Sequence, residues 1–394
     1  PMKHVERTVS RRDLVAGLTF AAGTCLMGGA SPAWAARSVF GDALGAQNAQ
    51  DSAQVSTPAS SGGADTAAAP SVPGITGADR AQYSDGFLTA LQVLYETLTA
   101  CNLDRVDILE SHISTEDFEA ALEYLHTAPW AAHYLTIDYS TLGEETVSFQ
   151  VSYRIDNAAL ATYQADLDAA ITSLVAQIDP AASEYDKALY VYDWLQNNVA
   201  YDHDVVEPYI LDTMSRTPLG ALAFGKAVCT GYSSAFALVM ERLGIPCEVV
   251  DSQEMLHTWN MTCIGGTWYY SDVTWDDMDE DIGAQRFYFM VSEQTLARDH
   301  WGWTPRHDSP VDLGRPGYVR LSPETCTLAD AAIQAVYTYP GCVIDMLDFY
   351  IDGETLDNTF YQLDAAGQFW GTYFSWRWRC NEAGFVTRLF VTLQ

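Results

Sequence analysis

From residue 228 the apolar positions Val228, Tyr232, Ala235, Phe236, Val239, Met240 and Leu243 recur at steps of three and four, the spacing of one helical face. Gly244 stands where such a helix would stop. Cys229 then falls in the first turn. Farther on, residues 257 to 264 and 267 to 274 alternate in strand fashion around Gly265 and Gly266, a pair suited to the positive φ of a two-residue hairpin turn. A tight turn there sets Trp259 opposite Asp272 and His257 opposite Thr274. Because side chains repeat every second residue, His257 and Asp272 become diagonal neighbours on one face. Their Cβ atoms would lie roughly 7 Å apart, close enough for an imidazole to carboxylate hydrogen bond. A one-residue bulge would break this register.

The flanks have their own periodicities. Phe87, Leu91, Leu94, Tyr95 and Leu98 form one helical stripe and Phe118, Leu122 and Leu125 another; residues 135 to 139 and 146 to 155 alternate as strands, and 160 to 178 return to helix. After Pro310 the pattern predicts a helix near 323 to 337 and aromatic-rich strands near 343 to 351, 358 to 363, 369 to 379 and 385 to 393. The predicted fold class is α+β. Its expected units are an N-terminal α+β domain over 81 to 180, a catalytic domain over 181 to 310 and a small C-terminal α+β module over 311 to 394. The tryptophans and tyrosines of that module read as core, with peptide or glycan binding as the alternative.

Cys229, His257 and Asp272 are a thiol, a base and a carboxylate. Such a set supports covalent acyl transfer, in which a thiolate attacks a carbonyl, the imidazole moves protons and the carboxylate fixes the imidazole tautomer. A helix start favours the thiolate through its unpaired amides and the positive end of the helix dipole, which lowers a pKa otherwise near ~8.5. Gly225 and Gly231 are expected to keep bulk away from the thiol. The rival reading of a cysteine at a helix start is a small buried hydrophobe.

These residues also carry a resemblance. The run Cys229-Thr-Gly-Tyr-Ser-Ser-Ala-Phe, then Leu243-Gly-Ile-Pro-Cys247, His257-Thr-Trp-Asn, Gly266-Thr-Trp-Tyr and Asp272-Val-Thr-Trp-Asp-Asp, resembles the bacterial transglutaminase-like superfamily. Residues 187 to 202, ending in Tyr201 and Asp202, look like the helix and following element that precede the nucleophile there. The resemblance spans about residues 181 to 310. It implies a papain-related α+β fold with Cys229 as nucleophile, His257 as base and Asp272 as orienter. The superfamily includes amine-transferring enzymes, peptidases, amidases and members without catalysis, so reaction type stays open. The backbone amide of Cys229 is an expected oxyanion donor, and Tyr201 and Trp259 are candidate oxyanion or substrate contacts. The expected function is an exported cysteine enzyme acting on peptide or protein amides, with hydrolysis ahead of crosslinking and a non-catalytic surface binding module as the rival.

Charge narrows the partners. With 52 acidic against 20 basic residues the formal charge is −32, which disfavours nucleic acid and anionic membrane surfaces. Peptide or protein substrates remain, including cell-surface proteins and cell-wall peptides. Lys3, Lys187 and Lys226 are the only lysines, so a crosslinking enzyme would find few amine donors on its own surface. Residues 8 to 14, with Arg11 and Arg12, resemble a twin-arginine motif ahead of a moderately apolar stretch. Ala33-Trp34-Ala35 offers a cleavage site, so 1 to 35 read as a signal peptide and the mature chain as secreted or cell-surface, without a stable membrane span. Cys25 lacks a leucine three residues earlier, which argues against a lipid anchor. Residues 36 to 80, rich in Ala, Ser, Gly, Gln, Thr and Pro, read as a disordered linker.

Six cysteines remain beside Cys229 after cleavage: Cys101, Cys247, Cys263, Cys326, Cys342 and Cys380. An even number in an exported chain permits three disulfides, and Cys247 and Cys263 read equally as a bridge or as two buried thiols. No cofactor or metal is expected. His203, His300 and His307 lack the paired spacing of a metal site and are placed in solvated or structural loops. The acidic run over 276 to 283 lacks the glycine and glutamate of a calcium loop and reads as a solvated acidic loop.

Overall fold

The computed structural model describes residues 5–7, 72, 79–205, 213–277, 285–380 and 384–394. Nearly all of the expected signal peptide and linker, with Cys25 and the Ala33-Trp34-Ala35 site, lies outside the described residues. So does most of the acidic run, from 278 onward.

A short strand, β1 (Val5–Arg7), is the first described element. Ser84 then caps α1 (Asp85–Thr99) by accepting from the Phe87 amide, and the predicted stripe buries Phe87, Leu91, Leu94 and Leu98. After β2 (Val106–Asp107), Ser114 caps α2 (Thr115–Tyr124) in the same way. The hairpin β3 (Tyr134–Leu142) and β4 (Glu145–Tyr153) joins β2 in a three-stranded sheet of order β2-β4-β3. Asp156 caps α3 (Asn157–Val175), whose apolar face carries Leu160, Tyr163, Leu167, Ile171 and Leu174. Ser183 caps α4 (Glu184–Asn198).

Strands β5 (Ala200–Tyr201) and β6 (Lys226–Ala227) pair in parallel around α5 (Pro218–Phe224), and β6 leads directly into α6 (Cys229–Arg242), the helix expected from residue 228. Behind α6 lies an antiparallel sheet of β7 (Cys247–Ser252), β8 (His257–Ile264) and β9 (Thr267–Ser271). One apolar core runs from Val72 and Phe87 through Leu167, Tyr192 and Phe236 to Phe289 and Met290, so it spans residue 180 without a break.

Beyond β9 come two short helices, α7 (Val273–Asp276) and α8 (Glu293–Leu296), and then the C-terminal part. It consists of β10 (Tyr318–Arg320), α9 (Leu328–Tyr337), β11 (Val343–Asp345), α10 (Gly353–Ala365), β12 (Phe374–Cys380) and β13 (Val386–Leu393). Its sheet has the order β1-β12-β13-β11-β10. In a chain cleaved after Ala35 that sheet would keep four strands.

The α+β class holds, with local corrections in the C-terminal part. Residues 358 to 363 are not a strand but the middle of α10. Asp352 caps this helix by accepting from the Thr355 amide, and Leu356 and Phe360, four residues apart, face the core. The strand expected over 343 to 351 ends at Asp345, where a 3-10 turn over 347–349 begins. Aromatic strands do supply core here: Trp376 and Phe374 are buried against Phe360 and Phe369.

Candidate active site

Cys229 is the first residue of α6. Val228, at the cap position, offers no side-chain hydrogen bond to the helix, so the first-turn amides are left to act on whatever lies at that end. The chain before the helix is held by the Val228 amide, which donates to Ser215 O at 2.9 Å. Gly231 makes that approach feasible. A Cβ on Gly231 would sit 2.5 Å from Ser215 O and 2.9 Å from Ala227 Cβ, so its glycine serves the packing of residues 213–217 on the helix rather than space around the thiol. Gly225, with φ +63°, ends α5 instead.

The β8–β9 hairpin has the expected register. Ile264 pairs with Thr267 and Asn260 with Ser271, without a bulge, around Gly265 and Gly266 at φ +58° and +83°. The strand stops sooner than the alternation suggests. After Ser271 the chain turns into α7, and Asp272 becomes its cap, accepting from the Trp275 amide at 3.1 Å through Oδ1. The other carboxylate oxygen, Oδ2, lies 2.7 Å from His257 Nε2. Thus the two residues expected to meet do meet. With Nε2 committed to Asp272, Nδ1 is the ring nitrogen left for the Cys229 thiol.

A closed environment surrounds this pair. Trp275 stacks on the His257 ring at 4.9 Å and 13°, and Tyr192 places its hydroxyl 2.8 Å from Asp272 O and 2.6 Å from Asp276 Oδ2. Asn260 ties the strand to the helix by donating to Ser233 O at 2.9 Å, and the Ser233 and Thr258 hydroxyls meet at 3.0 Å. Asp272 is fully buried, His257 nearly so, and Cys229 is partly exposed.

Electrostatics follow from this packing. Burial pushes the Cys229 thiol up, but its hydrogen bond to His257, the charge of His257 and of Arg216, and the Thr258 amide together bring it down to about 7. Burial pulls His257 down, and the charge and hydrogen bond of Asp272 more than reverse that, raising it to about 10. Asp272, in spite of burial, is held far below the usual carboxylate range by His257 and His300. The arrangement favours a thiolate beside an imidazolium.

His300 lies in a loop and takes the structural of the two placements expected for it. It is fully buried rather than in a solvated loop, with Nε2 3.1 Å from Asp272 Oδ2 and Nδ1 2.8 Å from Asp299 Oδ1. His257, Asp272 and His300 bring ligand-capable atoms within 4.8 Å of one another. At hydrogen-bond separations from a shared carboxylate oxygen they satisfy each other as imidazole to carboxylate contacts. His203 is exposed beside Tyr201, and His307 stacks on Trp268 and meets Glu248 at 3.0 Å.

The other candidates are placed as follows. Tyr201, on β5, packs its ring on His203 at 5.2 Å. Trp259 is buried with its ring 5.7 Å from His257, and its indole N–H has no hydrogen-bond partner among the described residues. Among the described residues Cys101, Cys229, Cys247, Cys263, Cys326 and Cys342 are free thiols. For Cys247 and Cys263 the reason is geometric: Cys247 pairs with Thr262, so Cys263 projects from the opposite face of the sheet. Cys247 lies 3.4 Å from Thr262 Oγ1, and burial pushes its thiol up to about 12. No helix among the described residues is long and apolar enough to cross a membrane.

Comparison with known proteins bears on this segment. Among solved structures, a TGase is 16% identical with a TM-score of 0.26, the alignment covering 49% of this chain and 53% of that one. A candidate cysteine protease from Cytophaga hutchinsonii is 16% identical with a TM-score of 0.21, over 35% of this chain and 61% of that one. A candidate protease from Parabacteroides distasonis is 13% identical with a TM-score of 0.23, over 34% of this chain and 35% of that one. The chain thus spans about half the length of the first of these. No curated protein matches it. Residues 172–273, the span that holds Cys229, His257 and Asp272, match the family model of the transglutaminase-like superfamily.

Proposed function

We propose that the protein is an exported cysteine enzyme that cleaves peptide or protein amides through a thioester on Cys229. The observation that carries this reading is the 2.7 Å contact of His257 Nε2 with Asp272 Oδ2, next to a helix-start thiol lowered to about 7. In the first half-reaction the Cys229 thiolate attacks the amide carbonyl carbon, and the carbonyl electrons move to oxygen. The first-turn amide of Cys229 donates to that oxyanion in this reading. His257, as imidazolium, gives its Nδ1 proton to the departing amine as the C–N bond breaks, leaving a thioester. In the second half, water attacks the thioester while neutral His257 takes its proton; the acid is released, the sulfur leaves as thiolate and the imidazolium is restored. Asp272 holds the tautomer and stabilises the imidazolium throughout.

Hydrolysis is favoured over crosslinking because water, at far higher concentration than any amine, competes for the thioester unless a pocket excludes it. The test supplies one peptide substrate with and without a primary amine and counts both products by mass spectrometry, with Cys229→Ala as blank. Free acid should exceed the amine adduct. Dominant amine incorporation would replace hydrolysis by crosslinking transfer, and no product from a folded protein over a broad peptide set would favour the surface binding module.

A further inference from the structure

Asp272 Oδ2 receives two imidazoles. His257 Nε2 lies 2.7 Å away and His300 Nε2 3.1 Å away, while Oδ1 accepts from the Trp275 amide. Each of these three hydrogen bonds is directional, so together they oppose rotation of the carboxylate about its Cβ–Cγ bond. His300 is itself over-determined. Its Nδ1 meets Asp299 Oδ1 at 2.8 Å, and Asp299 Oδ2 accepts from the Tyr288 hydroxyl at 2.6 Å. The ring lies 3.9 Å from that of Trp275 and takes the edges of Trp259 at 5.0 Å and Tyr288 at 5.1 Å. The titratable groups around His300 are thus Asp272 from the α7 cap, Asp299 from its own segment, Tyr288 from the preceding loop, and His257 at 6.1 Å from β8.

We propose that His300, which lies outside the matched segment 172–273, is a positioning residue: its Nε2–H pins Asp272 Oδ2 in line with His257, and Asp299 with Tyr288 aims that donor. The inference rests on the acyl-transfer reading above. Without the second donor, Asp272 can turn away from His257, the imidazolium loses support, and the thiol loses the partner that keeps it ionised.

Two isosteres separate positioning from packing. His300→Gln puts an amide N–H near the place of Nε2 and keeps the contact to Asp272; His300→Asn puts one near Nδ1 and keeps only the contact to Asp299. The readout is the pH profile of iodoacetamide alkylation at Cys229 in the full chain, located by peptide mapping, which needs no knowledge of the substrate. Wild type and His300→Gln should share an acid limb near 7. In His300→Asn the limb should move up by about one pH unit, with alkylation at neutral pH slower by about fivefold to tenfold. An unshifted His300→Asn, or equal shifts in both variants, would overturn the proposal. Should His300→Asn not fold, Asp299→Asn decides: a limb moved the same way supports aiming by Asp299, and an unmoved limb overturns it. A wild-type thiol that titrates at its ordinary value would instead remove the acyl-transfer reading, and this inference with it.

Discussion

The Cys229 thiol lies between burial, which opposes ionisation, and the charge and hydrogen bond of His257, which favour it. The balance depends on His257 more than on the helix start. His257→Ala should therefore raise the alkylation pKa of Cys229 above that of an ordinary thiol, since burial then acts with less opposition; an unchanged value would show that the helix end alone sustains the thiolate. In the intact protein, turnover should rise with pH through about 7 and fall through about 10, the limbs of the thiol and of His257. Asp272→Asn should fold normally and lose roughly two to four orders of magnitude in turnover, because His257 would then be held in the wrong tautomer. Near-normal turnover would remove Asp272 from the mechanism. These three residues were legible because each stands beside a local signal, a helix start or a hairpin. His300 was not, because 28 residues separate it from Asp272 and it follows the four-residue helix α8, too short for a period to declare itself.

Elements were legible where one short-range rule determined them. Gly265 and Gly266 set the hairpin, and the register followed over Asn260 to Ser271. The strand end was not, because Asp272-Val-Thr-Trp continues the alternation while Asp272 also suits a helix cap, and the tertiary contacts of Asp272 with His257 and His300 go with the cap. Helix α10 was misread for a related reason: Phe360 and Tyr361 suit a strand, yet the Asp352 cap and the Leu356 to Phe360 spacing suit a helix that packs on Phe374 and Trp376. Asn260 shows how a strand and a helix are locked together. Its Nδ2 donates to Ser233 O on α6 and lies 3.3 Å from Glu248 O on β7. Asn260→Ala should cost about 1–3 kcal/mol by removing the buried hydrogen bond that ties β8 to α6. Asn260→Asp should cost more, since a carboxylate would face two acceptors. Chemical denaturation of both variants checks that order, and equal losses would mean that Asn260 acts through volume alone.

Across the whole molecule, the C-terminal part reaches the segments that frame the site. Arg298, two residues before His300, forms a bidentate pair with the buried Asp345 of β11, with Nη2 2.8 Å from Oδ1. Arg388 of β13 donates to Trp275 O at 3.1 Å and lies 3.1 Å from Asp276 Oδ1, an oxygen with no well-aligned hydrogen bond among the described residues. Nothing in the local sequence announces either contact, since 112 residues separate Asp276 from Arg388. Burial raises Asp276 to about 6, with Arg388 the strongest opposing influence. A carboxyl whose folded pKa is raised contributes stability that is present below its unfolded value of 3.8 and is lost as pH rises through about 6. Arg388→Met should raise that folded value further, so its penalty depends on pH. Near pH ~8 a buried carboxylate would stand without its cation, at about 3–5 kcal/mol. Near pH ~5 the protonated acid needs no cation, and the penalty should shrink to about 1 kcal/mol or less. Urea unfolding of wild type and Arg388→Met at the two pH values measures the difference. Adding Asp276→Asn should recover most of the loss at the higher pH, because the buried charge goes with its partner. A penalty equal at both pH values would show that Arg388 acts through its packing on Phe287 and Tyr288, at 4.5 and 4.8 Å, and not through Asp276.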